Sequence, residues 1–79
     1  MTNQTFGASG IIVENLPNTM FRVKVSESQV PEMVDKTVLC TLSGKMRMNW
    51  VRLLPGDKVN IDVSTLDQTK GRVIYRLKS

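Results

Sequence analysis

Apolar and polar positions alternate with a period of two along most of this chain. Between Met20 and Ser26, Phe21, Val23 and Val25 fall on one side and Met20, Arg22 and Lys24 on the other. That is the pattern of a strand with one buried face. It returns at 58–64, with Val59, Ile61 and Val63 inward and Lys58, Asn60 and Asp62 outward. It returns again at 71–78, with Val73, Tyr75 and Leu77 inward and Arg72, Ile74 and Arg76 outward. Thr37–Leu42 adds another strand, in which Val38, Cys40 and Leu42 share a side. Residues 6–16 are β-prone but hold Gly7 and Gly10, and glycine inside a strand marks a bulge or a barrel corner. Turn chemistry separates these runs at Leu16-Pro17-Asn18-Thr19, at Leu54-Pro55-Gly56-Asp57 and across the polar 65–70. The polar segment 27–36, with Pro31 at its centre, is expected to be a long hairpin loop.

One stretch breaks the period. Ser43 can cap a helix, and Met46 and Trp50 stand four residues apart on one helical face, with Lys45, Met48, Asn49 and Arg52 on the other. A short helix of two or three turns is expected. The order is then three strands, a helix and two strands. Five short antiparallel strands are too few for a sandwich, whereas closing them into a barrel removes the exposed edges and lets the helix plug one open end. The predicted fold is all-β: a five-stranded OB-fold barrel with one short helix between strands 3 and 4. It forms a single domain over 1–79, with 1–5 expected to be disordered.

Composition then removes whole classes of function. The chain has 79 residues, one cysteine and no histidine. An internal disulfide, a Cys/His zinc site and any histidine-dependent catalysis are therefore excluded. No carboxylate pair stands at active-site spacing and no glycine loop cradles a phosphate, so no enzyme, metal or cofactor is expected. Cys40, in an alternating strand, reads as a small core residue. No apolar run exceeds three residues and no leader is visible, which points to no membrane segment and a cytosol-like compartment.

Charge changes the picture most. Residues 1–35 carry two basic and four acidic side chains, a net of −2, whereas 36–79 carry nine basic and three acidic, a net of +6. The second half is a candidate surface for a polyanion. Outward cations gather on the helix and its exit (Lys45, Arg47, Arg52), on the last turn and strand (Lys70, Arg72, Arg76) and on the second strand (Arg22, Lys24). Arginine dominates, which suits forked contacts to phosphate. Aromatics number four: Phe6, Phe21, Trp50 and Tyr75. The alternation assigns Phe21 and Tyr75 to the core, leaving no row of rings on which successive bases could stack. Recognition of a folded RNA by charge and shape is favoured over generic single-strand binding. Trp50 is either a core plug or a partly exposed contact, and a protein-interaction module with incidental charge stays open as a further alternative.

Four motifs taken together resemble bacterial-type translation initiation factor 1. They are Glu14 to Val23, Ser43-Gly44-Lys45-Met46-Arg47, Val51 to Val59, and Lys70-Gly71-Arg72-Val73. The resemblance runs in order from Gly10 to Arg76. It implies an OB-fold protein without catalytic activity that acts as a monomer. Such a protein binds the small ribosomal subunit and its ribosomal RNA at the A site, near the decoding region. There it blocks premature binding of tRNA and assists initiation factors 2 and 3. RNA contact is carried over to Lys45, Arg47, Arg52, Lys70, Arg72 and Arg76, with Asn49 and Trp50 as weaker candidates. The chain departs from the family in its longer 27–36 segment, in Thr41 before the Ser-Gly-Lys motif, and in Trp50 where Tyr or Phe is usual. Its ending is similar to plastid and cyanobacterial members, so the plastid stroma stands beside the bacterial cytoplasm. An RNA chaperone of the cold-shock kind is the alternative function.

Overall fold

The structure, a computed structural model, describes residues 4–48 and 52–77, with the backbone alone at Lys45. In chain order it comprises β1 (Thr5–Leu16), β2 (Met20–Ser28), a single 3-10 turn (Pro31–Met33), β3 (Thr37–Leu42), α1 (Gly44–Met48), β4 (Lys58–Ser64) and β5 (Lys70–Arg76). The strands close into a barrel in the order β1-β2-β3-β5-β4, the OB-fold expected from the alternation. One expectation needs correction. Four seams are antiparallel, but β3 and β5 run parallel, with Leu39 opposite Lys70 and Thr41 opposite Arg72. The helix and β4 lie between them in sequence and supply the long crossover that a parallel pair requires.

β1 is long enough to pair with β2 on one side and β4 on the other, and it coils to do so. Its register with β2 slips twice, once between Ser9 and Gly10 and once between Ile12 and Glu14. Ser26 and Val13 are the extra residues. At Gly10 the wall is so tight that a Cβ would strike the Lys24 carbonyl oxygen and come within 2.7 Å of Val23 Cγ1. The bend therefore needs glycine for want of space. Where β4 meets β5 the approach is similar: a Cβ on Gly71 would lie 2.6 Å from the Asp62 carbonyl oxygen.

The barrel interior is filled by the predicted alternating residues. Val23, Val25, Val38, Cys40, Val59, Ile61, Val63 and Val73 are fully buried. Each branched side chain withdrawn from water in this way contributes about 1.5–3 kcal/mol. Burial also pushes the Cys40 thiol up to about 12, consistent with a core residue that does not ionise.

The last strand corrects the alternation read from sequence. Asn60 faces Tyr75 and Ile61 faces Val73, so Ile74 is an unpaired extra residue. Beyond this bulge the faces exchange. Tyr75, expected in the core, is 56% exposed. Arg76, expected on the outer face, stands opposite the inward Val59 at the end of the barrel. The 27–36 segment begins as the last residues of β2 and then makes the 3-10 turn, whose Met33 is buried. Of residues 1–5, Gln4 accepts hydrogen bonds from Thr65 and Thr5 opens β1. The described helix runs over Gly44–Met48, and residues 49–51, which the expected two or three turns would include, lie outside the described residues.

Candidate nucleic-acid interface

α1 starts where sequence chemistry places it. The Ser43 hydroxyl oxygen accepts a hydrogen bond from the Met46 amide at 3.2 Å, the N-cap geometry that satisfies an orphan donor of the first turn. The Ser43 amide itself donates to the Val73 carbonyl oxygen at 2.9 Å, tying the helix start to β5. Met46 turns into the core and Arg47 outward. Through Ser43 the helix is fixed beside the strand that carries Arg72.

Two groups of cations result. The first flanks the end of the barrel. Arg47 and Arg52 line one apolar cleft of about 820 Å³ together with Thr19, Phe21, Leu42 and Met46. Asn15 shares this cleft and donates from Nδ2 to the Leu53 carbonyl oxygen at 3.3 Å, holding the returning chain against β1. The second group lies on the outer wall, where Lys70 and Arg72 border a shallow groove with Thr5, Thr41, Asp62 and Ser64. The groups adjoin. Thr41, directly opposite Arg72, is followed within three residues by Gly44, the first residue of α1.

The ion pairs separate the cations into two kinds. Arg22 Nε lies 3.5 Å from Glu14 Oε1, and Arg76 Nε lies 3.8 Å from Asp57 Oδ2. Among the described residues Arg47, Arg52, Lys70 and Arg72 are exposed and have no carboxylate within ion-pair distance. An unpaired exposed guanidinium offers its full fork to a phosphate. Arg76 is held on the loop instead. Asp57 Oδ2 also accepts from the Leu54 amide at 2.9 Å, and that loop is stitched to β1 by Gly56 N to Ile12 O at 2.7 Å. Of the residues predicted to touch RNA, then, the fold brings Arg47, Arg52, Lys70 and Arg72 into one continuous region and turns Arg76 toward Asp57. The side chain of Lys45, and Asn49 and Trp50 altogether, lie outside the described residues.

Two residues of the region are absent from the sequence-based set: Asn15 and Thr19. Thr19 holds φ at +56°, and Asn18 before it holds +64°. A β-branched residue in the left-handed region costs on the order of 1–2 kcal/mol, so the hairpin tip is strained where it rims the cleft. In sequence Asn15 reads as part of the first strand and Thr19 as an ordinary turn residue. Ahead of β5, Asp67 accepts hydrogen bonds from the Thr69 hydroxyl and amide, which hold its carboxyl below the usual range and shape the turn leading to Lys70.

Comparison with known proteins agrees with this geometry. Residues 3–79 match the sequence pattern of the family described as "Translation initiation factor 1A / IF-1". The chain is similar to "Translation initiation factor IF-1, chloroplastic" of Dioscorea elephantipes, with 43% identity over 79 residues, covering all of this chain and 94% of that protein. It is similar to the protein of the same name from Solanum lycopersicum, at 51% identity over 75 residues, covering 95% of this chain. It spans only 44% of that longer relative. Among solved structures it resembles the solution structure of translation initiation factor 1 from the Wolbachia endosymbiont of Brugia malayi. The TM-score is 0.69 with 34% identity, over 95% of this chain and 80% of that one. With the barrel, the helix between β3 and β4 and the full-length match in agreement, this chain belongs to the translation initiation factor 1A / IF-1 family.

Proposed function

We propose that this chain acts without catalysis as a monomeric initiation factor on the small ribosomal subunit. It binds the ribosomal RNA at the A site near the decoding region, blocks premature binding of tRNA and assists initiation factors 2 and 3. The observation that carries this reading is the continuous region of four exposed cations, Arg47, Arg52, Lys70 and Arg72, none with a carboxylate within ion-pair distance among the described residues, in a member of an initiation-factor family. Lys45 joins them from α1, with Asn49 and Trp50 between Arg47 and Arg52 in the chain as weaker contacts. Arg76 contributes less, because it must leave Asp57 to reach a phosphate. The chloroplastic names of the relatives favour the plastid stroma, while the Wolbachia neighbour keeps the bacterial cytoplasm as the other location.

The test is co-sedimentation with isolated small subunits across a salt series, with large subunits and a random RNA as controls. Stoichiometric binding to small subunits alone is expected. With about five phosphates contacted, affinity falls on the order of a hundredfold between about 50 and 200 mM salt. Equal binding to every RNA would support the cold-shock-like chaperone reading instead.

A further inference from the structure

Sulfur is divided unequally between the inside and the outside of this barrel. Among the described residues Met33 and Met46 are each 4% exposed, and Met20 on β2 is half-buried. Met48, at the end of α1, is 81% exposed. Met46 and Met48 are two positions apart, about 200° of helical turn, so one enters the core and the other stands in water. Cys40, the single cysteine of the chain, is fully buried, and burial keeps its thiol protonated up to about 12. Oxidants attack the thiolate, so this sulfur is closed to them both by access and by protonation. A thioether needs no deprotonation. Met48 is therefore the one sulfur among the described residues that solvent reaches freely.

Its position gives that chemistry a consequence. Met48 directly follows Arg47, which is exposed and has no carboxylate within ion-pair distance among the described residues. Lys45 stands three positions earlier in the same helix, and positions three apart are neighbours on a helix surface. The helix, Gly-Lys-Met-Arg-Met, holds no acid. A thioether is a weak acceptor and leaves these cations free for a phosphate. A sulfoxide is polar, and its oxygen is a strong acceptor. Set among cations, it draws a charged N–H donor to itself and holds water over the surface that RNA must cover.

We propose that Met48 is a reversible oxidation site whose sulfoxide weakens the hold of the basic region on RNA. With hydrogen peroxide as oxidant, the thioether lone pair attacks one peroxide oxygen. The O–O bond breaks, an S–O bond forms and water leaves, so sulfur gives up two electrons. Methionine sulfoxide reductases reverse the step: a dithiol is oxidised to a disulfide and the oxygen departs as water. The inference rests on the RNA-binding reading above and adds to it a chemical control on α1.

The experiment treats the full chain with a graded series of hydrogen peroxide, maps the added oxygen by peptide mass spectrometry, and measures co-sedimentation with small subunits. Met48 is expected to gain one oxygen well before Met20, Met33 and Met46, with Tm unchanged. Subunit affinity then falls about fivefold and returns after treatment with both epimer-specific reductases and dithiothreitol. Met48→Leu removes the sulfur, and its affinity is expected to be the same before and after peroxide. Oxidation of Met33, Met46 or Cys40 as early as Met48 overturns the inference. So does undiminished affinity once Met48 is fully oxidised, or an equal peroxide-induced loss in Met48→Leu, which would place the sensitive group elsewhere. Untreated wild-type protein separates the two readings. If it binds small subunits and oxidised Met48 changes nothing, this inference alone fails; if it binds no subunits at all, the RNA-binding reading fails and takes this control with it.

Discussion

β5 carries two arginines four residues apart, and the strand treats them oppositely. Before the bulge, Arg72 stands on the outer wall next to the parallel seam with β3, exposed and without an acid partner among the described residues. After it, Arg76 is turned to the barrel end and held at Asp57, on a loop hydrogen-bonded to β1. One inserted residue, Ile74, separates a cation available to a ligand from a cation engaged in the scaffold. Residue type and strand membership are shared; only register differs. A basic strand is therefore not a uniform basic surface, and each cation has to be located before it is assigned.

The largest effect expected comes from attacking the wall that presents Arg72. Gly71→Ala forces a methyl against the Asp62 carbonyl oxygen, which is backbone and cannot swing aside. A loss of about 3 kcal/mol in urea-unfolding stability is expected, with subunit binding falling in proportion to the unfolded fraction. Retention of wild-type stability would mean that β4 and β5 can part cheaply, and the rigid presentation of Arg72 would fall with it. Next comes the pair Arg47→Ala with Arg72→Ala. Each removes a charge-assisted contact worth about 1.5 kcal/mol, so subunit affinity should drop roughly a hundredfold with Tm unchanged. Its salt dependence should lose about two phosphates' worth of slope. Undiminished binding in the double variant would refute the assignment of these side chains.

A smaller effect separates the core from both arginines. The Cys40 thiol is raised from 9.0 to about 12, so the folded state keeps it protonated where the unfolded chain ionises. Its contribution is complete below pH 9 and is lost as pH rises toward 12, at up to about 1.4 kcal/mol per pH unit. Chemical denaturation between about pH 8 and 11 should show that decline, and Cys40→Ala should flatten it relative to wild type. The smallest effect belongs to Arg76→Ala. Its ion pair is half exposed and 3.8 Å long, so about 0.5 kcal/mol or less of stability is at stake. Subunit affinity should move by no more than about threefold. A loss matching that of Arg72→Ala would erase the distinction between the two halves of β5.

Much of the barrel is legible in the sequence because its physics is local. The alternations at 20–26 and 58–64 name the core side of β2 and β4 correctly, and Ser43 caps the helix as its spacing suggests. The misreadings share one cause: a property set by the partner strand. Val73, Ile74 and Tyr75 carry no glycine or other mark of a bulge, because the extra residue exists only relative to Asn60 and Ile61. Hence Tyr75 reads as a core residue, and the surface reads as poorer in aromatics than it is. The parallel seam of β3 and β5 is likewise a consequence of closure, invisible in either strand alone. Met33 stands beside the exposed Val34 in a mostly polar run, and with Val30 three residues earlier the apolar positions make no strand period. In the candidate interface, the cations are visible as residue types. What selects among them is Glu14 beside Arg22 and Asp57 beside Arg76, and the second pairing joins residues brought together only by the fold.

The parallel seam has a consequence for how the protein is made. β5 is the last strand in chain order, and it closes the wall between β3 and β4. During synthesis the first four strands emerge without the piece that joins their free edges, so the barrel cannot lock until Lys70–Arg76 has been added. Contacts between residues so far apart in sequence also form late and slowly. The same strand brings Lys70 and Arg72. A prematurely terminated copy thus forfeits its closed wall and part of its charge together, so an unfinished chain is poorly equipped to compete with finished ones for their common target.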